Sequence, residues 1–405
     1  MRVKASPGFR WFYLALSFAA MLFAGILYAW SILKAPFQEA FAWTDTALAL
    51  NYTVTICCFC LGGMLAGQML RRLSPRLVVL LGAVLTALGF FLVSRLQGQI
   101  AMLYLAYGVL CGFGIGFAYN ALVTVSSAWF PDKRGFCSGV MMMGFGLSTL
   151  VLGNAAAALM ERYGWPFAYV CLSVGTGAVL LLAGLFSRMP RPEELPAELG
   201  QKKTAAWREA FPPQECTTGE MLRRSSFYRY YIFNVCLCAV GGTVISIARD
   251  LPLHLGAPEQ LAVTLAGALS VCNGVSRVCI GLVCDRLGRR PSMLLAGGLA
   301  VATALALLAA EYFSSVAACA AGICLAGLSY GCAPTLGAVF VTNFYGRRAF
   351  ASNFGIANTT LLPSAFMPAL VVSLASGRGD YLVSLAVLLA AGMVSLLFAA
   401  SLKRP

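Results

Sequence analysis

Apolar residues fall in long blocks separated by short polar turns, and that alternation predicts twelve helices. The first six cover 11–33, 46–70, 77–96, 100–128, 135–160 and 165–187. The second six cover 228–249, 260–284, 291–310, 315–342, 349–375 and 380–402. At about 1.5 Å rise per residue each block is long enough to cross roughly 30 Å of hydrocarbon. The pattern breaks once, over 188–227, where Pro, Glu, Lys and Arg dominate. The expected organisation is an all-α membrane protein with a six-helix bundle over 1–187, a linker over 188–227 and a second six-helix bundle over 228–405. A short surface helix is expected near Trp207. No stretch outside the helices is long enough for a sizeable water-soluble domain.

One polar intrusion stands out. Arg277 lies eight residues before Asp285, where the apolar block from about Leu261 to Cys284 gives way to charge. It is therefore about 12 Å inside that end of the helix. A guanidinium at this depth costs several kcal/mol and needs a partner, an anion or water. Its helical stripe is Ser270, Asn273, Gly274 and Gly281, all small or polar; Val271, Cys272, Val275, Val278, Ile280 and Leu282 form the remaining face.

Composition agrees: 60% of residues are hydrophobic and 11% charged. A net charge of +14 invites a nucleic-acid partner, but its distribution points to a bilayer instead. Five of the 29 Lys and Arg mark outer helix ends (Lys34, Arg95, Arg162, Arg249 and Arg378), and Arg277 is inside the membrane. The others lie on the termini and the even-numbered loops, so both termini are expected in the cytoplasm. The basic start followed by 11–33 reads as an uncleaved first helix. The 15 cysteines lie almost entirely in apolar helices. Cys58/Cys60 and Cys236/Cys238, two apart, face different ways, so they read as packing residues rather than metal ligands. His254 is the sole histidine. No metal, cofactor or enzyme is expected.

The halves repeat. Gly67-Gln-Met-Leu-Arg71-Arg72-Leu73-Ser-Pro-Arg76 recurs 214 residues on as Gly281-Leu-Val-Cys-Asp285-Arg286-Leu287-Gly288-Arg289-Arg290. Gly112 and Gly116 recur 215 residues on as Gly327 and Gly331, and each pair is followed by a basic turn. Duplicated bundles joined by a central loop are the build of alternating-access carriers.

These residues carry a resemblance that covers the whole chain. The second loop resembles the signature loop of the major facilitator superfamily, and the first a degenerate copy. Tyr28-Ala29-Trp30-Ser31 with Pro36 and Trp43, Trp129-Phe130-Pro131-Asp132, Asn273-Gly274 with Arg277, and Asn353-Phe354-Gly355 resemble the oxalate/formate antiporter family. Animal monocarboxylate transporters are more distantly similar. The resemblance implies the twelve-helix major facilitator fold in the plasma membrane, here a bacterial inner membrane. Two departures follow. Arg71 stands where the first loop usually has Asp. Leu361 stands where the oxalate exchanger has a membrane lysine, which counts against oxalate. The monocarboxylate transporters pair the arginine with an Asp four residues earlier; here it is Asn273, which counts against proton symport by that route.

A planar guanidinium binds a carboxylate through two parallel charge-assisted hydrogen bonds, so Arg277 is the leading anion-binding candidate. Tyr28, Trp30, Tyr119 and Tyr330 can wall a cavity and donate hydroxyl or indole hydrogens. Asn273 and Asn358 add neutral hydrogen bonds, as Asn51, Thr55 and Thr359 can. Asp285, Arg286, Arg289, Arg290, Arg72 and Arg76 form the expected gating loops. The expectation is a monomeric carrier of a small organic anion, a monocarboxylate, working by exchange or uniport. Two alternatives stay open: efflux of a neutral or amphipathic compound with Arg277 structural, and a transporter-like receptor that moves nothing.

Overall fold

A computed structural model describes residues 7–191, 194, 215–368, 370–371 and 381–402. Trp207 and most of the linker lie outside the described residues, as do Arg378, Asp380 and the end of the predicted helix 349–375. Among the described residues every regular element is helical.

Among the described residues, eleven helices are long and apolar enough to cross a bilayer. They are α1 (Gly8–Leu33), α2 (Ala47–Met69), α3 (Pro75–Val93), α4 (Ile100–Trp129), α5 (Arg134–Tyr163) and α6 (Trp165–Phe186), then α7 (Ser225–Ile247), α8 (Glu259–Leu287), α9 (Arg289–Tyr312) and α10 (Val316–Tyr345). In the predicted helix 349–375, α11 (Phe350–Ala357) gives way to a 3₁₀ turn, Asn358–Thr360, and a short piece, Leu361–Ser364. The last helix is α12 (Leu382–Ser401).

Local chemistry sets the helix ends. Ser74 accepts from the Leu77 amide and Pro75 fills the first helical position, whose N–H would lack a partner anyway. Between α8 and α9 the chain turns at Gly288, φ +85°, a conformation that costs an L side chain a clash. That explains the glycine in the second signature loop.

The contacts divide the chain into two units. One is Met1–Lys203 with Phe350–Asn358; the other is Thr204–Ala349 with Thr359–Pro405. Within the first, α2 packs on α4, α4 on α3, α3 on α6 and α6 on α1. Within the second, α8 packs on α10, α10 on α9, α9 on α12 and α12 on α7. The packing order is the same in both, as the sequence repeat requires. The dividing point in the late helix, between Asn358 and Thr359, falls inside the 3₁₀ turn.

On α8 the face opposite the arginine carries exposed Val271, Val275 and Leu282. Large aliphatic side chains turned outward suit a lipid-facing surface, where they cost nothing.

Candidate functional site

In the second unit Arg277 is buried, with 3% of its surface exposed. Its Nε donates to Asn273 Oδ1 at 3.1 Å, one turn back on α8. The asparagine therefore holds the edge of the guanidinium and fixes its plane, a positioning part. Thr335 of α10 donates its hydroxyl to the Arg277 carbonyl at 3.2 Å and ties the residue's backbone to the neighbouring helix. Ser276 donates to the Leu328 carbonyl beside it.

This close α8–α10 seam needs its glycines. A Cβ on Gly331 would collide with the Asn273 carbonyl and Ser276 Cβ, and one on Gly327 with the Leu269 carbonyl. The gap between the backbones is that of small-residue packing in membranes. Pro334 lies within α10 and has no N–H for the Tyr330 carbonyl four residues earlier, so the helix loses a rung beside Tyr330. The Tyr330 side chain lies against Gly241 of α7. Cys238, on the same helix, is buried. Arg277 and Asn273 on α8 and Tyr330 on α10 thus lie on two helices packed against each other, with α7 against α10.

The first unit gathers the other aromatic candidates. Tyr28 meets Phe145 edge-on at 5.3 Å, and Phe145 meets Tyr119 at 5.3 Å. Phe59 closes on Tyr119 at 5.2 Å and Phe354 stacks on it at 6.0 Å. The Tyr119 hydroxyl donates to the Met142 sulfur at 3.1 Å. Tyr28 lies in a 3₁₀ stretch, Gly25–Ala29, that loosens α1 at this level. Phe59, Phe145 and Phe354 were not among the sequence candidates, because aromatic residues in an apolar helix carry no signal until their partners are known.

Trp30 does something else. Its indole N–H donates to the Leu48 carbonyl at 3.0 Å, its ring packs at 4.5 Å from Tyr107, and it is buried. Its one polar hydrogen is committed to joining α1 to α2. Asn358 accepts from the Cys60 thiol through its carbonyl at 3.7 Å. Thr55 donates to the Asn51 carbonyl at 2.8 Å, a bond within α2. Tyr231 of α7 bonds the Thr359 carbonyl at 3.2 Å, and Asn234 donates to the Thr360 hydroxyl at 2.8 Å. These two bonds hold the second half of the broken helix to α7.

In the loops, Arg72, Arg76, Arg286 and Arg290 are exposed, while the Arg289 guanidinium lies 4.1 Å from the Phe344 ring centroid. Asp285 is half-buried at the end of α8. Arg71, in place of the usual acid, reaches back to Gln68 Oε1 at 3.4 Å.

No group of three or more His, Cys, Asp and Glu able to hold a metal occurs among the described residues.

The comparisons agree with this architecture. The chain is 24% identical over 295 residues to the oxalate:formate antiporter of Oxalobacter formigenes, an alignment covering 72% of this chain and 67% of that protein. It is 21% identical over 364 residues to mouse (Mus musculus) monocarboxylate transporter 2, covering 85% and 73%. The solved structure of the proton:xylose symporter XylE bound to 6-bromo-6-deoxy-D-glucose matches with a TM-score of 0.77 over 98% of this chain and 96% of that one, at 14% identity. At that identity the likeness establishes the fold. The profile of the Major Facilitator Superfamily matches residues 12–367, and the chain belongs to that superfamily.

Proposed function

We propose that this membrane transporter carries a small organic anion, a monocarboxylate, by alternating access of its two bundles, with Arg277 as the residue that neutralises the substrate carboxylate. The observation that carries the reading is a buried arginine whose guanidinium edge is held by an amide, Asn273, rather than by an acid. An amide at that position orients the guanidinium without adding a negative charge of its own. Tyr330, which adds a phenol, lies on α10, the helix packed against α8. The named relatives, an oxalate:formate antiporter and a monocarboxylate transporter, act on carboxylates, which supports the class.

One membrane cation favours a single carboxylate over a dianion. With Asn273 rather than an acid one turn before Arg277, that position cannot take up a proton, so exchange or uniport is the expected mode. The membrane is a bacterial inner membrane, with both termini in the cytoplasm. The test is uptake of labelled formate, lactate and pyruvate into proteoliposomes, comparing wild type with Arg277→Gln. A charge-assisted pair contributes about 1.5–3 kcal/mol, so uptake should fall about 10- to 100-fold. Carboxylate uptake that survives the substitution undiminished overturns the assignment and favours efflux of a neutral compound.

A further inference from the structure

The described residues resume within the linker at Glu215, and its carboxylate does not sit free in solvent. Glu215 Oε2 accepts from the Arg347 amide at 3.1 Å and the Arg348 amide at 2.7 Å, and Oε1 accepts from the Arg347 amide at 3.3 Å. The next residue, Cys216, donates its own amide to the Tyr345 carbonyl at 2.9 Å and is buried. Between these contacts Gly346 takes φ +79°, and a Cβ there would come within 2.7 Å of the Glu215 carboxyl carbon and Oε2. Only glycine lets the turn close around the carboxylate.

Two successive backbone N–H groups after a left-handed residue make a concave, positively polarised nest for an anion. Two arginine side chains flank this one, and both Arg347 and Arg348 are exposed. The segment that delivers the glutamate is itself fixed. Thr217 and Glu220 form a capping box at the start of a short helix, Thr218–Leu222. Tyr345, whose carbonyl receives the Cys216 amide, hydrogen-bonds through its hydroxyl with Ser226 at 2.8 Å. All of these groups belong to the second unit.

We infer that the turn Gly346–Arg348 is a carboxylate-binding nest whose resident ligand is Glu215 of the linker, and that this clasp pins the turn from which α11 starts. The site is distinct from the Arg277 interior, and the inference stands whether or not the transported substrate is a carboxylate.

The nest predicts chemical rescue. Glu215→Ala empties the nest of its anion while keeping the backbone donors, and a free carboxylate small enough to enter should replace the lost side chain. The probe is acetate, compared with chloride at matched ionic strength, and the readout is the unfolding temperature of the full-length detergent-purified protein. Glu215→Ala should lower Tm by about 3 °C or more. Acetate should raise the Tm of this variant more than that of wild type. The same differential should persist in the Arg277→Gln background, which separates binding at the nest from binding at the transport site. Glu215→Gln, which keeps the shape and one acceptor, should fall between the two. A Tm indifferent to Glu215→Ala overturns the inference. So does acetate that stabilises variant and wild type equally, or a differential that vanishes with Arg277→Gln. If Glu215→Ala does not fold, the acetate differential is read on Glu215→Ser, whose short side chain also leaves the nest open, with the same outcomes.

Discussion

The two units use one helix seam for two purposes. In the second, Thr335 of α10 donates to the carbonyl of Arg277 on α8. In the first, Asn120 of α4 donates to the carbonyl of Gly63 on α2 at 2.8 Å. Thr335 is 215 residues after Asn120 and Arg277 is 214 after Gly63, the same offsets that relate the repeated glycines and loops. A side chain from the fourth helix of each unit thus grips the same carbonyl of the second. At that carbonyl one unit places a guanidinium and the other nothing but a hydrogen atom. The space at Gly63 is used by backbone: a Cβ on Gly355 would come within 2.6 Å of the Gly63 carbonyl oxygen, and Asn120 Nδ2 also donates to the Ala351 carbonyl at 3.0 Å. The duplicated scaffold is common property; what differs is whether the node holds a charge or a helix.

The harshest way to break this comparison is to fill the seam that both units share. Gly116→Leu and Gly331→Leu each drive a side chain into a facing backbone, Phe59 and Gly63 in one case and Asn273 in the other. Overpacking of this kind costs about 1–3 kcal/mol where side chains can yield and more where the obstacle is main chain. Both variants should lose most of the folded protein, read as the monodisperse fraction in size-exclusion chromatography. If Gly331→Leu folds normally, α8 and α10 do not approach as closely as described.

A second change turns the charged node into a titratable one. Asn273→Asp puts a carboxylate where an oxygen already accepts from Arg277 Nε at 3.1 Å. Ionised, it pairs with the guanidinium and competes with a substrate anion; protonated, it does not. The ratio of variant to wild-type carboxylate uptake should therefore be low at neutral pH, about tenfold down. It should rise as pH falls, because protonation removes the competing negative charge. A ratio that is flat from pH 8 to pH 5, or that falls on acidification, shows that residue 273 does not control the charge offered to the anion.

Much of this was legible in the sequence. Hydrophobic blocks found each of the eleven helices among the described residues long enough to cross a bilayer, because in lipid a spanning segment must satisfy its own backbone and has little freedom but its length. Arg277 was legible because a lone cation in an apolar block is costly wherever the helices go. The break at Asn358–Thr360 was not, since Asn-Thr-Thr is tolerated in a helix and only its partners, Tyr231 and Asn234, reveal a bent path. Nor did the motif that carries Trp30 reveal that its indole hydrogen goes to a neighbouring carbonyl. Glu215 was hidden in a charged linker, where nothing local distinguishes it from the glutamates around it. Thr335 could have been found: the offset that pairs Gly112 with Gly327 also pairs Asn120 with Thr335, and Asn120 was already a polar residue in an apolar helix.

The smallest predicted effect is the most telling about how the two nodes differ. Thr335→Val removes a hydroxyl without changing shape. The Arg277 carbonyl is inside α8, so a helical N–H can still serve it. Stability should therefore drop by no more than about 1 kcal/mol. If Thr335 matters mainly by setting where Arg277 stands, carboxylate uptake should fall a few-fold while Tm hardly moves. That fall should disappear when Arg277 is already glutamine, because groups that act through one another are non-additive. Asn120→Leu is the matched control, for it strands both the Gly63 and Ala351 contacts and leaves the Thr124 hydroxyl without the Asn120 Oδ1 it donates to at 3.2 Å. It should cost more Tm than Thr335→Val, and its effect on uptake should add to that of Arg277→Gln rather than vanish with it. Equal additivity for both substitutions would mean that the shared carbonyl grip is scaffold in each unit, and that Thr335 has no part in presenting the arginine.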